Sequence, residues 1–360
     1  MEQKNTKRTW RKSLLIILFI LLNIGVIAAT AFSEFGNSSS ATKLSDVKIN
    51  WWLLIPAALC FLIAITAEIY KYVLMIRKIS KKERISRRDD WKLARRTVLL
   101  GRYYDNVTPA AVGGQPFQIY YMRKNSNLSK GTSTSIPVFG MISLQISFIV
   151  IALICFLFGG VAGDYPALIV TAWFGLIFYA FWPIMIAGIN FFPQVTTGFI
   201  KWIIKVLAKI KILKNPAAKL TQVEEEMDEY AKSVKTILKT KGLFIKILGL
   251  SLIFNLLIAS IPFFVLTAFG GNVNYWASLG TTIAVMSAVY FIPTPGNSGA
   301  AEGTFFIVFS ALSSGYVFWA MLVWRFFSYY IYIIMGPIIY FFMHLEKKRD
   351  AKFKKQSLKE

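Results

Sequence analysis

The sequence predicts an all-α polytopic membrane protein, with about six spanning helices plus two oppositely oriented re-entrant helical hairpins. Three observations carry that expectation. The 360 residues are 56% apolar with a mean hydropathy of +0.53, above the share a soluble chain uses. Apolar runs near 13–32, 51–76, 133–158, 166–192, 243–269 and 316–343 are each long enough to cross about 30 Å of hydrocarbon as a helix. Two more apolar stretches are broken at their middles by Pro and Gly beside charged residues: GRYYDNVTPAAVGGQP (Gly101 to Pro116) and FIPTPGNSGAAEG (Phe291 to Gly303). Lipid cannot satisfy the backbone groups such a break frees, so it survives at membrane depth only under cover of protein or of a water-filled cavity.

Taken in order, the run at 13–32 follows five basic residues and contains Ala29-Thr30-Ala31, which resembles a signal-peptide cleavage site. Its apolar core is longer than a signal core, so an uncleaved anchor is expected. Lys and Arg concentrate on cytoplasmic loops, and 35 of the 41 lie in 1–12, 77–96, 123–130, 201–241 and 347–359. Both termini are therefore expected in the cytoplasm. By the same parity, residues 97–122 enter from the cytoplasm, turn near Pro109 to Gly114 and return. Residues 276–313 do the same from outside. The 17 residues from Trp276 to Ile292 could nearly cross, and eight spans result if they do.

Between the spans, Gly198 to Leu213 reads as an interfacial helix and Glu224 to Tyr230 as part of a solvated one, both within a cytoplasmic segment at about 193–241. Residues 1–346 form one transmembrane domain and 347–360 a basic cytoplasmic tail. The net charge of +23 sits in loops beside spans. Orientation and attraction to anionic membrane lipids account for it, and no nucleic-acid partner is expected.

Ordinary enzyme chemistry has little to work with. Cys60 and Cys155 fall inside apolar runs, and the one histidine, His344, lies at the end of the last. A Ser-His-Asp triad and a His-based metal site are excluded. No P-loop occurs, no cofactor is expected, and the longest non-membrane stretch, about 50 residues, leaves no room for a soluble catalytic domain.

Five ionisable residues lie at membrane depth, where each is costly. Glu68 can snorkel or pair with Lys71. Arg102 and Asp105, three apart, can pair on one helical face. Glu302 begins a short half-helix and Arg325 lies inside the last span, which points to function. Small polar residues coincide with charge at both breaks, among them Asn106, Thr108 and Gln115 in the first and Thr294, Asn297 and Ser298 in the second. Paired breaks of this kind mark transport sites. The half-helix beginning near Gly299 would direct free N–H groups and its positive end inward, favouring an anion such as a lipid phosphate.

At these residues the chain resembles the flippase-like transmembrane region of lysylphosphatidylglycerol synthases and its stand-alone relatives. The resemblance rests on NVTPAAVGGQPFQIYYM (Asn106 to Met122), FIPTPGNSGAAEGTF (Phe291 to Phe305) and WRFFSYY (Trp324 to Tyr330). It implies movement of a phospholipid or polyprenyl-linked lipid between leaflets of the bacterial cytoplasmic membrane. Aminoacylated phosphatidylglycerol is the best-known cargo, and resistance to cationic antimicrobial peptides the associated role. By motif position, Asn106, Pro109, Gly113, Gly114, Pro293, Pro295, Gly296, Gly299, Glu302 and Arg325 would line or shape the site, joined by Arg102, Asp105 and Gln115. Many relatives carry Glu and Arg where this chain has Gln115 and Gln118. On this reading Arg325 and the half-helix hold the phosphate, and Glu302 or Asp105 meets a cationic headgroup.

Full-length synthases carry a soluble transferase domain with no counterpart in these residues. Two alternatives to translocation remain: a transferase or hydrolase acting on a lipid carrier, with Asp105 or Glu302 as acid or base, and a scaffold for a separate lipid synthase. That synthase and a second copy of the chain are the protein partners left open.

Overall fold

The computed structural model describes residues 48–79, 87–109, 111, 113–158, 161, 165–191, 198, 202, 216–312 and 316–356. The first expected span and the interfacial helix, apart from Gly198 and Trp202, lie outside these residues. A short 3₁₀ turn, Trp51–Leu53, leads into α1 (Leu54–Ile79), and α2 (Arg87–Val107), α3 (Gly114–Asn125), α4 (Lys130–Leu157), α5 (Pro166–Phe191) and α6 (Pro216–Lys239) follow. Then come α7 (Lys241–Ala268), α8 (Tyr275–Val289), α9 (Ala300–Leu312), α10 (Val317–Arg325) and, after a π-helical turn at Phe326–Tyr330, α11 (Ile331–Gln356).

Five stretches are long and apolar enough to cross a membrane: Trp51–Ile79, Lys130–Leu157, Pro166–Met185, Lys241–Ala268 and Val317–Glu346. They coincide with five of the six apolar runs, because hydropathy over some 20 residues is a strong signal. Their outer faces are apolar and exposed, as at Leu62, Ile177 and Phe341, while Tyr72, Met75, Ile247, Phe305 and Phe309 fill the interior. That is the expected arrangement where the solvent is lipid. Trp51 and Trp52 stand exposed where α1 begins, the usual place of an interfacial aromatic belt.

Two boundaries differ from expectation. The helix that opens the first broken pair starts at Arg87, ten residues earlier than hydropathy placed it. Its charged first turns read as loop, yet Asp89 and Asp90 favour a helix N-terminus and Asp90 accepts from Arg77 at 3.0 Å. The last run is interrupted after Arg325 by the π-helical turn, a feature that hydropathy cannot register.

Contacts near helix ends define two opposite faces of the molecule. On one face Lys92 and Arg96 bind Glu346 at 2.7 and 2.8 Å, while Glu226 on α6 takes Arg123 at 3.1 Å. On the other face the N–H of Asn50 donates to Ala268 O at 2.9 Å and that of Tyr316 to Phe269 O at 3.2 Å. The α2–α3 pair starts and ends on the first face. The α8–α9 pair starts and ends on the second. The element order helix, broken pair, helix therefore occurs twice, as α1–α4 and as α7–α11, in opposite senses.

Packing ties these units together. α1 lies along α7, and α8 packs against both α5 and α7. Gly175 on α5 comes so close to α8 that a Cβ there would stand 1.9 Å from the carbonyl oxygen of Ser287. Small residues at such crossings let membrane helices reach van der Waals contact.

Candidate functional site

The two breaks meet. Pro109 and Pro295 face each other in an isolated antiparallel bridge. Neither proline has an N–H, so flanking backbone groups carry its hydrogen bonds. At the end of α2 the chain is held by its own side chains: Thr108 Oγ1 donates to Tyr104 O at 2.7 Å and accepts from the N–H of Gly113 at 2.9 Å. Asp105 Oδ1 accepts from the N–H of Gly114 at 2.9 Å, placing a carboxylate on the N-terminus of α3. A Cβ at Gly114 would stand 2.1 Å from that oxygen, so only glycine allows the contact.

The second break is built by related means. Glu302 Oε2 reaches back to accept from the N–H of Gly299 at 2.7 Å, closing the first turn of α9 as the glutamate of a capping box does. Thr294 Oγ1 donates to Ser298 O at 2.9 Å. Gly296 has φ +57°, and a Cβ there would lie 2.1 Å from the Tyr329 ring; Asn297 follows at φ +54°. Both break segments thus pack in backbone conformations that tolerate little substitution.

Beside the meeting point lies a cavity of about 310 Å³. Of the residues named from sequence, Glu68, Arg102, Asp105, Asn106, Gln115, Gln118, Gly296, Asn297 and Arg325 line it. Pro109, Gly113, Gly114, Pro293, Pro295, Gly299 and Glu302 lie off its wall and shape the breaks behind it. The cavity is within the range of small-molecule sites and sits at an interface between helices, where such sites concentrate.

The charges pair differently from the sequence expectation. Arg102 and Asp105 form no ion pair with each other: Asp105 is held by Gly114, while the Arg102 guanidinium lies over the Phe254 ring at 4.7 Å. Glu302 instead binds Arg325, Nη2 to Oε2 at 2.7 Å, with both side chains buried. Arg325 also reaches the carbonyls of Gly296 and Asn297 at a long 3.5 Å and lies near the rings of Trp324 and Tyr329. The positive end of α9 is therefore met by the protein's own carboxylate and is not open to an outside anion. Glu68 pairs with Lys71 at 2.7 Å and does not snorkel, since both are buried. Lys71 Nζ further donates to Gly140 O and Ser251 Oγ, each at 3.1 Å, joining α1 to α4 and α7.

Several lining residues escape a reading centred on the breaks: Tyr72, Gln145, Tyr179, Asn255 and Ser328. A signal for some was present. Ser143, Gln145 and Ser147 on α4, with Ser251 and Asn255 on α7, are polar residues recurring inside apolar runs, a pattern that marks helix–helix contacts in membranes. Asn255 Nδ2 donates to Ser147 Oγ at 2.6 Å and to Leu144 O at 2.9 Å, and Tyr72 donates to Gln118 Oε1 at 3.0 Å. Cys60 and Cys155 are free and buried, and among the described residues no group of His, Cys, Asp and Glu could hold a metal ion.

The family model of the lysylphosphatidylglycerol synthase TM region matches residues 13–336. Comparison with curated proteins returns no match. Comparison with solved structures likewise returns none.

Proposed function

The chain belongs to the lysylphosphatidylglycerol synthase TM region family, and from that membership we propose that it moves a phospholipid between the leaflets of the bacterial cytoplasmic membrane. The membership itself carries a membrane location and a function related to membrane lipids. The reading beyond it rests on one observation: the two broken helix pairs, coming from opposite faces, meet at Pro109 and Pro295 beside a cavity lined by charged groups.

In this reading the pairs α2–α3 and α8–α9 are re-entrant hairpins among six spans. The face bearing Lys92, Arg96 and Arg123 is cytoplasmic, following the bias of basic residues. The 15-residue α8 and 13-residue α9 suit that role, since at 1.5 Å per residue they reach only about 22 and 20 Å. The headgroup crosses through the cavity while the acyl chains stay in lipid. The two oppositely directed units rock around the headgroup, as inverted repeats do in other carriers. Arg102 is the cation that meets the phosphate, because its Nη2 is buried without a hydrogen-bond partner and Arg325 is engaged by Glu302. Aminoacylated phosphatidylglycerol is the cargo the family membership suggests.

The test is movement of acyl-labelled phospholipids in liposomes reconstituted with the purified chain, read by quenching from outside, with the lipids analysed by chromatography afterwards. The expected result is movement that Arg102→Gln loses, with every headgroup unaltered. A folded chain that moves none of the lipids overturns the reading, and an altered headgroup replaces it with the enzyme alternative.

A further inference from the structure

Resting on the reading that the cavity receives a lipid headgroup, we propose that it selects a net-neutral headgroup carrying one phosphate and one ammonium. Purely anionic headgroups and those with a second ammonium are disfavoured.

Four charged groups near the cavity cancel in pairs. Lys71 and Glu68 lie 2.7 Å apart, as do Arg325 and Glu302. What remains on the wall is one cation and one anion that do not pair with each other, Arg102 and Asp105. Arg102 contacts the Phe254 ring, and among the described residues the hydrogen bond to the Asp105 carboxylate comes from the N–H of Gly114. The α3 N-terminus supplies Asp105 with about half a positive charge and no more.

The unsatisfied polar atoms include both kinds of partner. Besides Glu68 Oε2, which is ion-paired with Lys71, buried atoms without a hydrogen-bond partner on this wall include two further donors, Arg325 Nε and Ser328 Oγ, and three acceptors, Gln115 Oε1, Gln145 Oε1 and Asn297 Oδ1. Buried polar atoms are rarely left in this condition in proteins, and a group that satisfies them gains what their desolvation has already cost. A phosphate has oxygens for the donors; an ammonium has three N–H groups for the acceptors and for Asp105.

Three kinds of headgroup then separate on electrostatic grounds. Phosphatidylglycerol satisfies Arg102 but offers Asp105 only hydroxyls. Lysyl-phosphatidylglycerol brings a second ammonium for which no unpaired carboxylate remains. A headgroup with one of each, such as phosphatidylethanolamine or alanyl-phosphatidylglycerol, matches both. In a low-dielectric site an unmatched charge is the usual source of discrimination.

The experiment is native mass spectrometry of the purified full chain in detergent. It is titrated separately with phosphatidylethanolamine, alanyl-phosphatidylglycerol, phosphatidylglycerol and lysyl-phosphatidylglycerol. At least one of the first two is expected to bind about tenfold or more tightly than the last two; which of them binds names the source of the ammonium. In Asp105→Asn, whose amide oxygen still accepts from Gly114, the ranking should move toward phosphatidylglycerol, while Arg102→Gln should weaken all four. Wild-type protein binding phosphatidylglycerol or lysyl-phosphatidylglycerol as tightly as the neutral lipids overturns the proposal, as does an unchanged ranking in folded Asp105→Asn. Because the ranking is read from binding alone, a chain that ranks lipids but moves none in liposomes fails as a translocase without failing here.

Discussion

The carboxylate of Glu302 is bound at once by the Arg325 guanidinium and by the N–H of Gly299, each at 2.7 Å to the same oxygen. One side chain on α9 thus fastens the last span to the break that precedes its own helix. The same carboxylate neutralises the helix end that would otherwise attract an anion.

Glu302→Gln should accordingly damage the fold as well as any transport. It leaves Arg325 buried beside a neutral amide, and breaking one side of a buried ion pair costs about 3–5 kcal/mol. The double variant Glu302→Gln with Arg325→Met should recover a large part of that loss. Thermal melting in detergent measures both. A single variant that melts with wild type would mean that the pair is not a structural clasp.

Lys71, in the buried pair with Glu68, makes a comparable clasp. Its ammonium is fully buried and joins three helices through Glu68, Gly140 O and Ser251 Oγ. Lys71→Met removes those bonds and strands Glu68, so it should loosen α1 from α4 and α7. Faster hydrogen exchange in all three helices is the expected reading. Faster exchange in α1 alone would show that the ammonium does not link them.

Gly114→Ala tests the first break. The added Cβ would stand 2.1 Å from Asp105 Oδ1, so the carboxylate must turn away and the α3 N-terminus loses its partner. The expected cost is about 1–3 kcal/mol, the penalty of a buried N–H left unsatisfied. Asp105→Asn keeps an acceptor and should melt closer to wild type. Equal loss in both variants would locate the penalty elsewhere.

Much of this architecture was legible in the sequence because hydropathy over a span and Pro-Gly breaks with charge are coarse, local signals. The five long apolar helices and both breaks follow from them. What stayed hidden depends on partners far apart in the chain. Nothing local tells Glu302 to choose Arg325 over a ligand, or Asp105 to choose Gly114 over Arg102. Even so, Lys71, three residues from Glu68, was a legible partner. The charged opening of α2 was missed for a related reason: its helix is stabilised through Arg77 and Glu346, contacts that a window of neighbouring residues does not contain.

The α6 segment supplies a pH prediction outside the spans. Glu226 pays a desolvation cost that raises its pKa, but Gln222 Nε2 at 2.8 Å, Arg123 at 3.1 Å and Lys130 at 3.5 Å outweigh it and hold the carboxyl below its ordinary value. A carboxylate depressed in the folded state stabilises fully above its unfolded pKa, and the benefit disappears as pH falls through the folded one. The docking of α6 on α3 and α4 should therefore be constant near neutrality and weaken below about pH 4, the ordinary glutamate range. Because the pair is partly exposed, high salt should weaken it too. Hydrogen exchange of residues 216–239 across that range measures the effect, with Glu226→Gln as control. Protection that falls equally with acid in that variant would assign the acid sensitivity to other carboxylates of α6, such as Glu229, whose Oε2 accepts from the N–H of Gly131 at 3.1 Å.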